Sequence, residues 1–518
     1  MISNFLLGQQ AMTRRRMMQM FAAGVSVMTL PLSGFAQETP RQGGTLRVAA
    51  ANNPSSLDPH TGRSGFDHPI LYPIFDTLFE FDYDTLQALP GIVKSWDQIP
   101  EKLVLTLNEN IMFHDGTPCD AGAVKFNLER CASEPRSNVK TDVASIESIE
   151  VNSPTELTLN LKYPDSALPL VLSDRPGMIM SPKSVQELGE GTERNPVGTG
   201  AWKFVSWTDN AKVVVARNEN YWRAGRPYLD GLEFAIIPER NTGLRSVVAG
   251  ENDLVYSLSI QQEPIIKRSS NLEMISGPTQ IINMFYFNLA RAPISDLRVR
   301  QALNYAVDRE AFNQITQDGE PARTVLPSNH WAYNPELADT YPYDPDKAKA
   351  LLAEAGLGGG FDLEAIGWND QKAIQRQEVL IEQFGKVGIR IRFTTASVAD
   401  STAKFMNEKQ GHLFLGAFTG RPDPSQVFQR VFDPKSFLNP GEVDPAPERE
   451  ALQLQSQSTS NPDERKAAFF KLQKVASDYA LCLPITVQYD VTAYVNTVEG
   501  FRQNLTGKPK FEMVYLAA

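Results

Sequence analysis

Hydrophobic and polar positions alternate along most of the chain in two spacings, one typical of strands and the other of amphipathic helices. Residues 281–312 begin as an apolar strand and continue into a helix starting at Ser295 or Asp296, since either side chain can accept hydrogen bonds from a first helical turn. One helix face must be buried because it carries Val299, Ala302, Leu303, Ala306 and Val307. The polar face carries Arg298, Arg300 and Asp308.

The same alternation predicts an α/β protein. Residues 232–236, 241–249 and 253–256 are expected to form a strand, a helix and a strand, a unit that favours a parallel, covered sheet. Strands and helices alternate again over residues 361–418 with short connections, which indicates a second α/β region. A helix is also predicted over residues 67–81, where apolar pairs recur at four-residue spacing.

The first 36 residues are a segment of a different kind. A threonine and three arginines at 13–16 precede an apolar run over residues 20–32 and a small-residue cleavage pattern. This order predicts an export signal, and the arginine pair fits the twin-arginine type. The alternative, a membrane anchor, is disfavoured because the run is short and contains Gly24 and Pro31. We therefore expect a periplasmic protein with no stable membrane insertion after signal removal.

Charge and cysteine content narrow the function classes. The net charge of −11 becomes −14 without the signal, because that segment carries three arginines and no acidic residue. An acidic exported protein repels nucleic acid and anionic membranes, so neither is an expected partner. Cys119, Cys131 and Cys482 do not make a disulfide framework. Buried free thiols are the simplest interpretation, and a bridge involving Cys482 stays open.

Motifs for catalysis, cofactors or metals are absent from the sequence. It contains no GxSxG nucleophile elbow, no paired-histidine zinc helix, no CxxC pair and no phosphate loop. The five histidines are dispersed and none lies at metal-ligand spacing. We therefore predict a non-enzyme without a cofactor or a metal.

The loop at residues 419–424 is the most informative candidate ligand site. It follows an apolar strand, and ligands gather at the carboxyl ends of strands in open α/β sheets. Arg421 can hold a carboxylate through two hydrogen bonds, whereas Asp423 can also serve as a helix cap. Further candidate ligand contacts at strand ends and in loops are Phe285, Tyr286, His330, Trp331, Phe418 and Tyr489.

Four landmarks occur in the order typical of one protein family. They are residues 43–48 with 57–59, residues 113–118 with 124–130, residues 196–207, and residues 297–309. The chain therefore resembles the family 5 extracellular solute-binding proteins of ABC transporters, the periplasmic oligopeptide, dipeptide and nickel-binding type. The landmarks span nearly all of the chain beyond the export signal.

The resemblance implies a two-lobed periplasmic-binding-protein fold of type II, cluster C. Lobe one would comprise residues 41–286 and 490–518, with an extra subdomain at 76–196, and lobe two would comprise residues 287–489. The implied function is to capture a small organic solute between the lobes and deliver it to a membrane permease driven by ATPase subunits. The protein is expected to be a monomer.

One departure from the family pattern concerns the ligand. Where an acidic residue often pairs with a peptide's amino group, this chain has Gly420 and Arg421 before residues 422–424. The change favours a ligand with a carboxylate at that end, and peptides, opines, aromatic acids and metal complexes stay open. Two alternative functions are an exported hydrolase using Asp58 and Asp423 and a ligand-binding sensor that contacts a membrane protein.

Overall fold

A sheet of eleven strands runs through the computed structural model, which describes residues 40–517. Ten strands form a continuous path, and the eleventh, Gly319–Pro321, pairs beside it with Cys482–Val495. The order along the path is Ile389–Ala396, Phe361–Trp368, Leu413–Phe418, Leu272–Phe287, Cys482–Val495, Leu254–Leu258, Thr45–Ala50, Gly231–Ile236, Lys212–Arg217 and Trp202–Thr208.

The two longest strands, Leu272–Phe287 and Cys482–Val495, connect the two halves of this sheet. They pair antiparallel, and their register shifts between Pro278 and Ile282. Before the shift they join the half built on Thr45–Ala50, which we call lobe one. After it they join the other half, which includes Leu413–Phe418 and which we call lobe two. The irregular pairing is therefore the crossing between the lobes.

Lobe one follows the predicted strand–helix–strand pattern. Thr45–Ala50 pairs in parallel with both Gly231–Ile236 and Leu254–Leu258. The helix between those two strands, Arg240–Val248, begins where the Glu239 carboxylate accepts two backbone N–H bonds. Because parallel strands need covering on their faces, this helix packs on the sheet and buries its apolar side.

An additional part of lobe one contains its own four-stranded antiparallel sheet, and we call it the extra subdomain. The strand order is Val93–Ile99, Lys102–Leu107, Glu156–Leu161 and Ile146–Ser153. Alternating leucines of the two central strands are buried, as expected for a sheet with one face on a core. The helix Ala121–Ser133, capped by Asp120, contributes to the same core.

Lobe two begins at the predicted capped helix. The Asp296 side chain accepts from the Arg298 backbone N–H, and the helix Leu297–Tyr305 buries the expected apolar face. Arg300 differs from the prediction, because it is 2% exposed and donates to the carbonyls of residues 294, 295, 479 and 480. The Arg300 guanidinium is thus hydrogen-bonded to neighbouring backbone carbonyls and is not hydrated by solvent.

The helices of both lobes are short. Their bounds are His68–Ile74, Ala121–Ser133, Leu168–Val171, Pro182–Leu188, Arg240–Val248, Glu263–Ile266, Leu297–Tyr305, Arg309–Thr316, Pro345–Glu354, Gln371–Gly385, Val398–Thr402, Ser425–Phe432, Arg449–Gln457 and Pro462–Asp478. The remaining strands form two small sheets, Phe79–Phe81 with Ala88–Pro90 and Val498–Glu499 with Tyr515–Leu516.

The helix predicted over residues 67–81 is wrong beyond its first half. It ends at Ile74, and Phe79–Phe81 is a strand. The Asp76 carboxylate accepts hydrogen bonds from Tyr221 and Trp222, and the backbone after it bonds to other loops. The apolar residues keep the four-residue spacing of a helix, but hydrogen bonds to residues far away in sequence hold the chain after Ile74 extended.

The cysteines and the helix lengths bear on the remaining predictions from the sequence. All three cysteines are free and buried. Among residues 40–517, no helix combines the length and apolar character needed to cross the membrane. The predicted export signal lies outside the described residues, and the predicted domain boundaries stay a prediction.

Candidate ligand-binding site

A crevice between the two lobes holds a large outer chamber with a cavity volume of about 830 Å³. Lobe one contributes the start of helix Arg240–Val248 and the segment at 257–262, and lobe two contributes the start of helix Gln371–Gly385. Most of the lining side chains are amides or charged groups, including Lys372 and Arg376. The outer chamber is therefore suited to a polar solute.

A smaller inner chamber of about 90 Å³ lies next to it, and Phe66, Trp368 and Val398 line both. Its other walls are mainly apolar and aromatic, with Tyr286 and Phe418 among them. Four arginines complete the lining, namely Arg63, Arg175, Arg421 and Arg430. This combination of apolar walls and cationic groups is typical of a pocket that orients a ligand by a few polar contacts.

The two lobes approach closely beside the inner chamber. A Cβ atom on Gly65 of lobe one would lie 2.3 Å from the Thr419 hydroxyl oxygen of lobe two. Such a distance is a clash, so only glycine allows this contact. At the inner end of the crevice, the lobe-one backbone at Gly65 thus packs directly against the lobe-two side chain of Thr419.

Arg421 lies in the loop after Leu413–Phe418, at the carboxyl end of that strand as predicted. Its Nη1 donates to Asp174 Oδ2 at 2.6 Å, which joins lobe two to lobe one. Burial alone would lower the pKa of Arg421, but Asp174 and then Asp142 raise it, so the guanidinium stays charged. Within residues 40–517, its Nε has no hydrogen-bond partner.

Asp174 is the centre of a buried charge cluster behind the chamber. It also accepts from His68 Nε2 and from Lys508 Nζ, the latter at 2.8 Å. Burial would raise the pKa of Asp174, yet Arg421, His68 and Lys508 together hold it well below its usual range. Burial lowers the pKa of His68 to about 3, so the imidazole is neutral at physiological pH.

Arg430 is a second buried arginine at the chamber, on the helix Ser425–Phe432. Its Nη1 donates to both oxygens of Asp142 in the extra subdomain, at 2.9 and 3.1 Å. Its Nε, like that of Arg421, has no hydrogen-bond partner within the described residues. The third arginine, Arg175, is held by Asp67 at 2.8 Å.

The predicted ligand residues fall into two groups. Tyr286, Phe418 and Arg421 come together at the inner chamber. The others do not line it. Phe285 is wholly buried between Phe384 and Phe393, on the opposite face of its strand from Tyr286. The geometry therefore assigns Phe285 to the core of lobe two.

Asp423, His330 and Trp331 form a neighbouring cluster instead. Asp423 lies two residues before the helix Ser425–Phe432, whose N-cap position is Pro424, so the predicted side-chain cap is not formed. Its carboxylate accepts from the Ser425 N–H and receives two hydrogen bonds from Arg465 Nη2 at 2.8 and 3.0 Å. Trp331 packs edge-to-face on Phe469 and lies under the same arginine, and the His330 ring lies beside it at a tilt of 33°. This geometry supports a structural role for all three.

Tyr489 lies apart from both chambers, at the lobe crossing. It is partly exposed, its backbone N–H donates to the Asp318 carbonyl, and its ring lies against Gly319. The predicted ligand contact of Tyr489 has no support from this position.

Four residues that line the chambers were not predicted from the sequence, namely Phe66, Trp368, Arg175 and Arg430. Phe66 and Trp368 meet edge-to-face across the crevice at 6.2 Å. Trp368 ends the observed strand Phe361–Trp368 and lies two residues beyond the predicted strand, a position that was a usable signal. Arg430 gave no local signal, because its partner Asp142 is 288 residues away in sequence.

The geometry gives the hydrolase alternative no support. Asp58 is completely buried and paired with Arg130, and Asp423 is paired with Arg465. Neither carboxylate lines a chamber of the crevice. Within the described residues, no group of three or more histidine, cysteine, aspartate or glutamate side chains is placed to hold a metal ion.

Two lobes around a crevice with an oriented cationic end define a solute-binding protein. Residues 87–439 match the family model described as "Bacterial extracellular solute-binding proteins, family 5 Middle", and the chain belongs to this family. It is a substrate-binding component of an ABC transporter, as the resemblance implied. The predicted two-lobed α/β fold is also confirmed.

Individual relatives are moderately similar. The glutathione-binding protein GsiB of Escherichia coli strain K12 is 27% identical over 483 residues, covering 88% of this chain and 91% of GsiB. DppA from Helicobacter pylori, solved with the peptide STSA, has a TM-score of 0.86 and 21% identity, covering 92% of this chain and 99% of DppA. AgaA from A. tumefacien R10, solved with agropinic acid, has a TM-score of 0.82 and 22% identity over 92% of this chain and 99% of AgaA.

Proposed function

We propose that this protein captures a small, carboxylate-bearing organic solute, a peptide or a peptide-like compound, and hands it to a membrane permease with its ATPase subunits. The observation that carries the proposal is Arg421 at the inner end of the interlobe crevice. Its Nη1 is taken by Asp174, which fixes the guanidinium at the wall of the inner chamber. A guanidinium held in this way matches the oxygens of a carboxylate.

The similar proteins are consistent with this ligand class. GsiB is named for glutathione, DppA was solved with a tetrapeptide and AgaA with agropinic acid. Glutathione, the peptide and the opine acid all carry carboxylates. A polar outer chamber of about 830 Å³ leaves room for the rest of such a molecule.

The cellular setting completes the proposal. Export by a twin-arginine signal would place the folded protein in the periplasm, where the monomer meets its solute before docking on the permease. The acidic net charge is compatible with a local cationic site, because the arginines lie inside the crevice. Binding and release of an unchanged solute constitute the activity.

The test begins with mass spectrometry of any solute that co-purifies with the protein. That solute, glutathione, agropinic acid and short peptides are then titrated by isothermal calorimetry. Arg421→Ala should weaken binding of the carboxylate ligand by about 1.5–3 kcal/mol, because one charge-assisted bidentate contact is lost. Arg390→Ala is the control, since Arg390 is exposed and remote from both chambers.

Two results would contradict the proposal. Chemical turnover of the bound solute would replace a receptor with an enzyme, and equal affinity in the Arg421→Ala variant would make Arg421 a structural residue. Growth on the solute as sole nutrient, with and without the protein, separates transport from a sensory role.

A further inference from the structure

We propose that the inner chamber holds the ligand's carboxylate between Arg421 and Arg430 and rejects a free ammonium group at that end. The inference rests on the proposed function and narrows its ligand to acids with a compact aromatic or aliphatic stem. An amino nitrogen near the acid group is then absent or acylated.

Arg421 and Arg430 place two guanidinium groups of lobe two at the inner chamber. They are 8% and 7% exposed, and both line the chamber. Each donates through Nη1 to a lobe-one aspartate, and this pairing fixes the guanidinium at the chamber wall. Two fixed guanidinium groups at one cavity match the oxygens of a carboxylate.

The buried charges around the inner chamber also favour an anion. Four cationic side chains and three carboxylates surround the chamber, the cations being Arg175, Arg421, Arg430 and Lys508 and the carboxylates Asp67, Asp142 and Asp174. His68 adds no charge, because burial lowers its pKa to about 3. Burial lowers the pKa of Lys508 to about 7, with Asp174 opposing the shift and Arg421 adding to it, so Lys508 is about half protonated at neutral pH and the cluster keeps a partial positive excess. An incoming carboxylate offsets this excess.

The charged side chains that line the inner chamber are all cationic. Four arginines and no aspartate or glutamate line the inner chamber, counted over the residues that the structure describes. The three aspartates lie behind the arginines and are already paired with them. An ammonium group would thus meet cations without a compensating carboxylate, which disfavours its binding in a desolvated site.

The aromatic walls of the inner chamber determine which stem can carry the carboxylate. Phe66, Tyr286, Trp368, Phe414 and Phe418 offer ring faces and edges, and the volume of about 90 Å³ admits one compact group. The stem then points to the outer chamber, where polar parts of a larger solute can be hydrated or hydrogen-bonded. The ligand is therefore bound acid-first.

Two stems carrying three different head groups test this orientation on the full chain after signal removal. The aromatic set is 3-phenylpropanoate, 3-phenylpropanamide and 3-phenylpropylamine, and the aliphatic set is butanoate, butanamide and butylamine. Dissociation constants are measured by calorimetry and by thermal shift. We expect at least one acid to bind roughly tenfold or more tightly than its amide, and neither amine to bind measurably.

Arg421→Lys and Arg430→Lys then test the two donors. Lysine keeps a cation for each aspartate but lacks the planar fork, so each variant should reduce the preference for acid over amide to threefold or less. Arg390→Lys is the matched control, because Arg390 is an exposed arginine paired with Asp362. Circular dichroism and unliganded melting establish that each variant is folded.

The inference is overturned if an amine binds more tightly than its acid, or if neither acid binds at a concentration of about 10 mM. It is also overturned if both lysine variants keep the wild-type preference for acid over amide. A co-purified solute without a carboxylate, released unchanged, would also overturn it while leaving the receptor function intact. Turnover of a bound acid would have the opposite meaning, because it contradicts the receptor function and not the acid-first orientation.

Discussion

Asp318 should be essential for the stability of the lobe crossing. Its carboxylate is completely buried and accepts from Arg376 Nε at 2.7 Å and Nη2 at 3.0 Å, with Lys372 Nζ at 3.3 Å. It also faces Asn283 and Thr486 on the two crossing strands. Burial alone would raise the pKa of Asp318, but Arg376 and Lys372 lower it, so the group is an anion tying a lobe-two helix to the crossing.

Asp318→Asn removes this charge while keeping the side-chain volume. Breaking a buried ion pair by neutralising one partner costs about 3–5 kcal/mol, because the remaining cation stays desolvated. The entropy of unfolding is about 2.1 cal/mol/K per residue, so a domain of this size has roughly 1 kcal/mol/K. The melting temperature should therefore fall by about 3–5 °C.

Asp362→Asn is a matched control for this measurement. Asp362 also joins two cations, Arg390 and Arg392, but its side chain is 43% exposed. An exposed ion pair contributes about 0–1 kcal/mol, so the melting temperature should change by roughly 1 °C or less. Differential scanning calorimetry at pH 7 measures both variants. Equal losses in the two variants, or no loss in Asp318→Asn, would refute the reasoning that burial determines the effect.

Two further outcomes follow from the same electrostatics. Asp423→Asn should lower the melting temperature by a few degrees, about as much as Asp318→Asn, because Asp423 is paired with the buried Arg465. The dissociation constant of a carboxylate probe should stay within about threefold, because Asp423 does not line the chambers. A large loss of affinity with unchanged stability would instead make it a ligand contact. Burial lowers the pKa of His60 to about 4, so the unfolded chain binds the proton first and stability falls as pH drops from 6.5 to 4. His60→Asn, which keeps an acceptor for Arg130, should reduce this fall by on the order of 3 kcal/mol in urea titrations at pH 7 and pH 4; an unchanged fall would contradict the assignment.

Local sequence patterns predicted the strands and helices better than they predicted which residues these elements pack against. The cap at Asp296 and the buried helix face after it were correct, because both depend on residues a few positions apart. Arg300 on the same helix was placed on the polar face, yet it is buried against carbonyls near residue 480. Helical periodicity states which positions share a face, but not what covers that face.

The candidate site shows the same division. Phe285 and Tyr286 are neighbours on a strand, so their side chains must point to opposite faces, but only the packing of helix Gln371–Gly385 on one face made Phe285 a core residue and left Tyr286 for the chamber. Arg421 was found from sequence because it follows a strand in a loop that departs from a family pattern. Arg430, on a helix with no such departure, was not.

Short-range spacing and motifs identified most of the strands and helices, the family and the position of one cationic loop. Which charges are paired depends on contacts between segments far apart in the chain. Asp174 and Arg421 are 247 residues apart, and Asp142 and Arg430 are 288 apart, so no local pattern links them. Burial strengthens such charge pairs, so the fold fixes both arginines at the chamber through aspartates that only the tertiary structure brings to them.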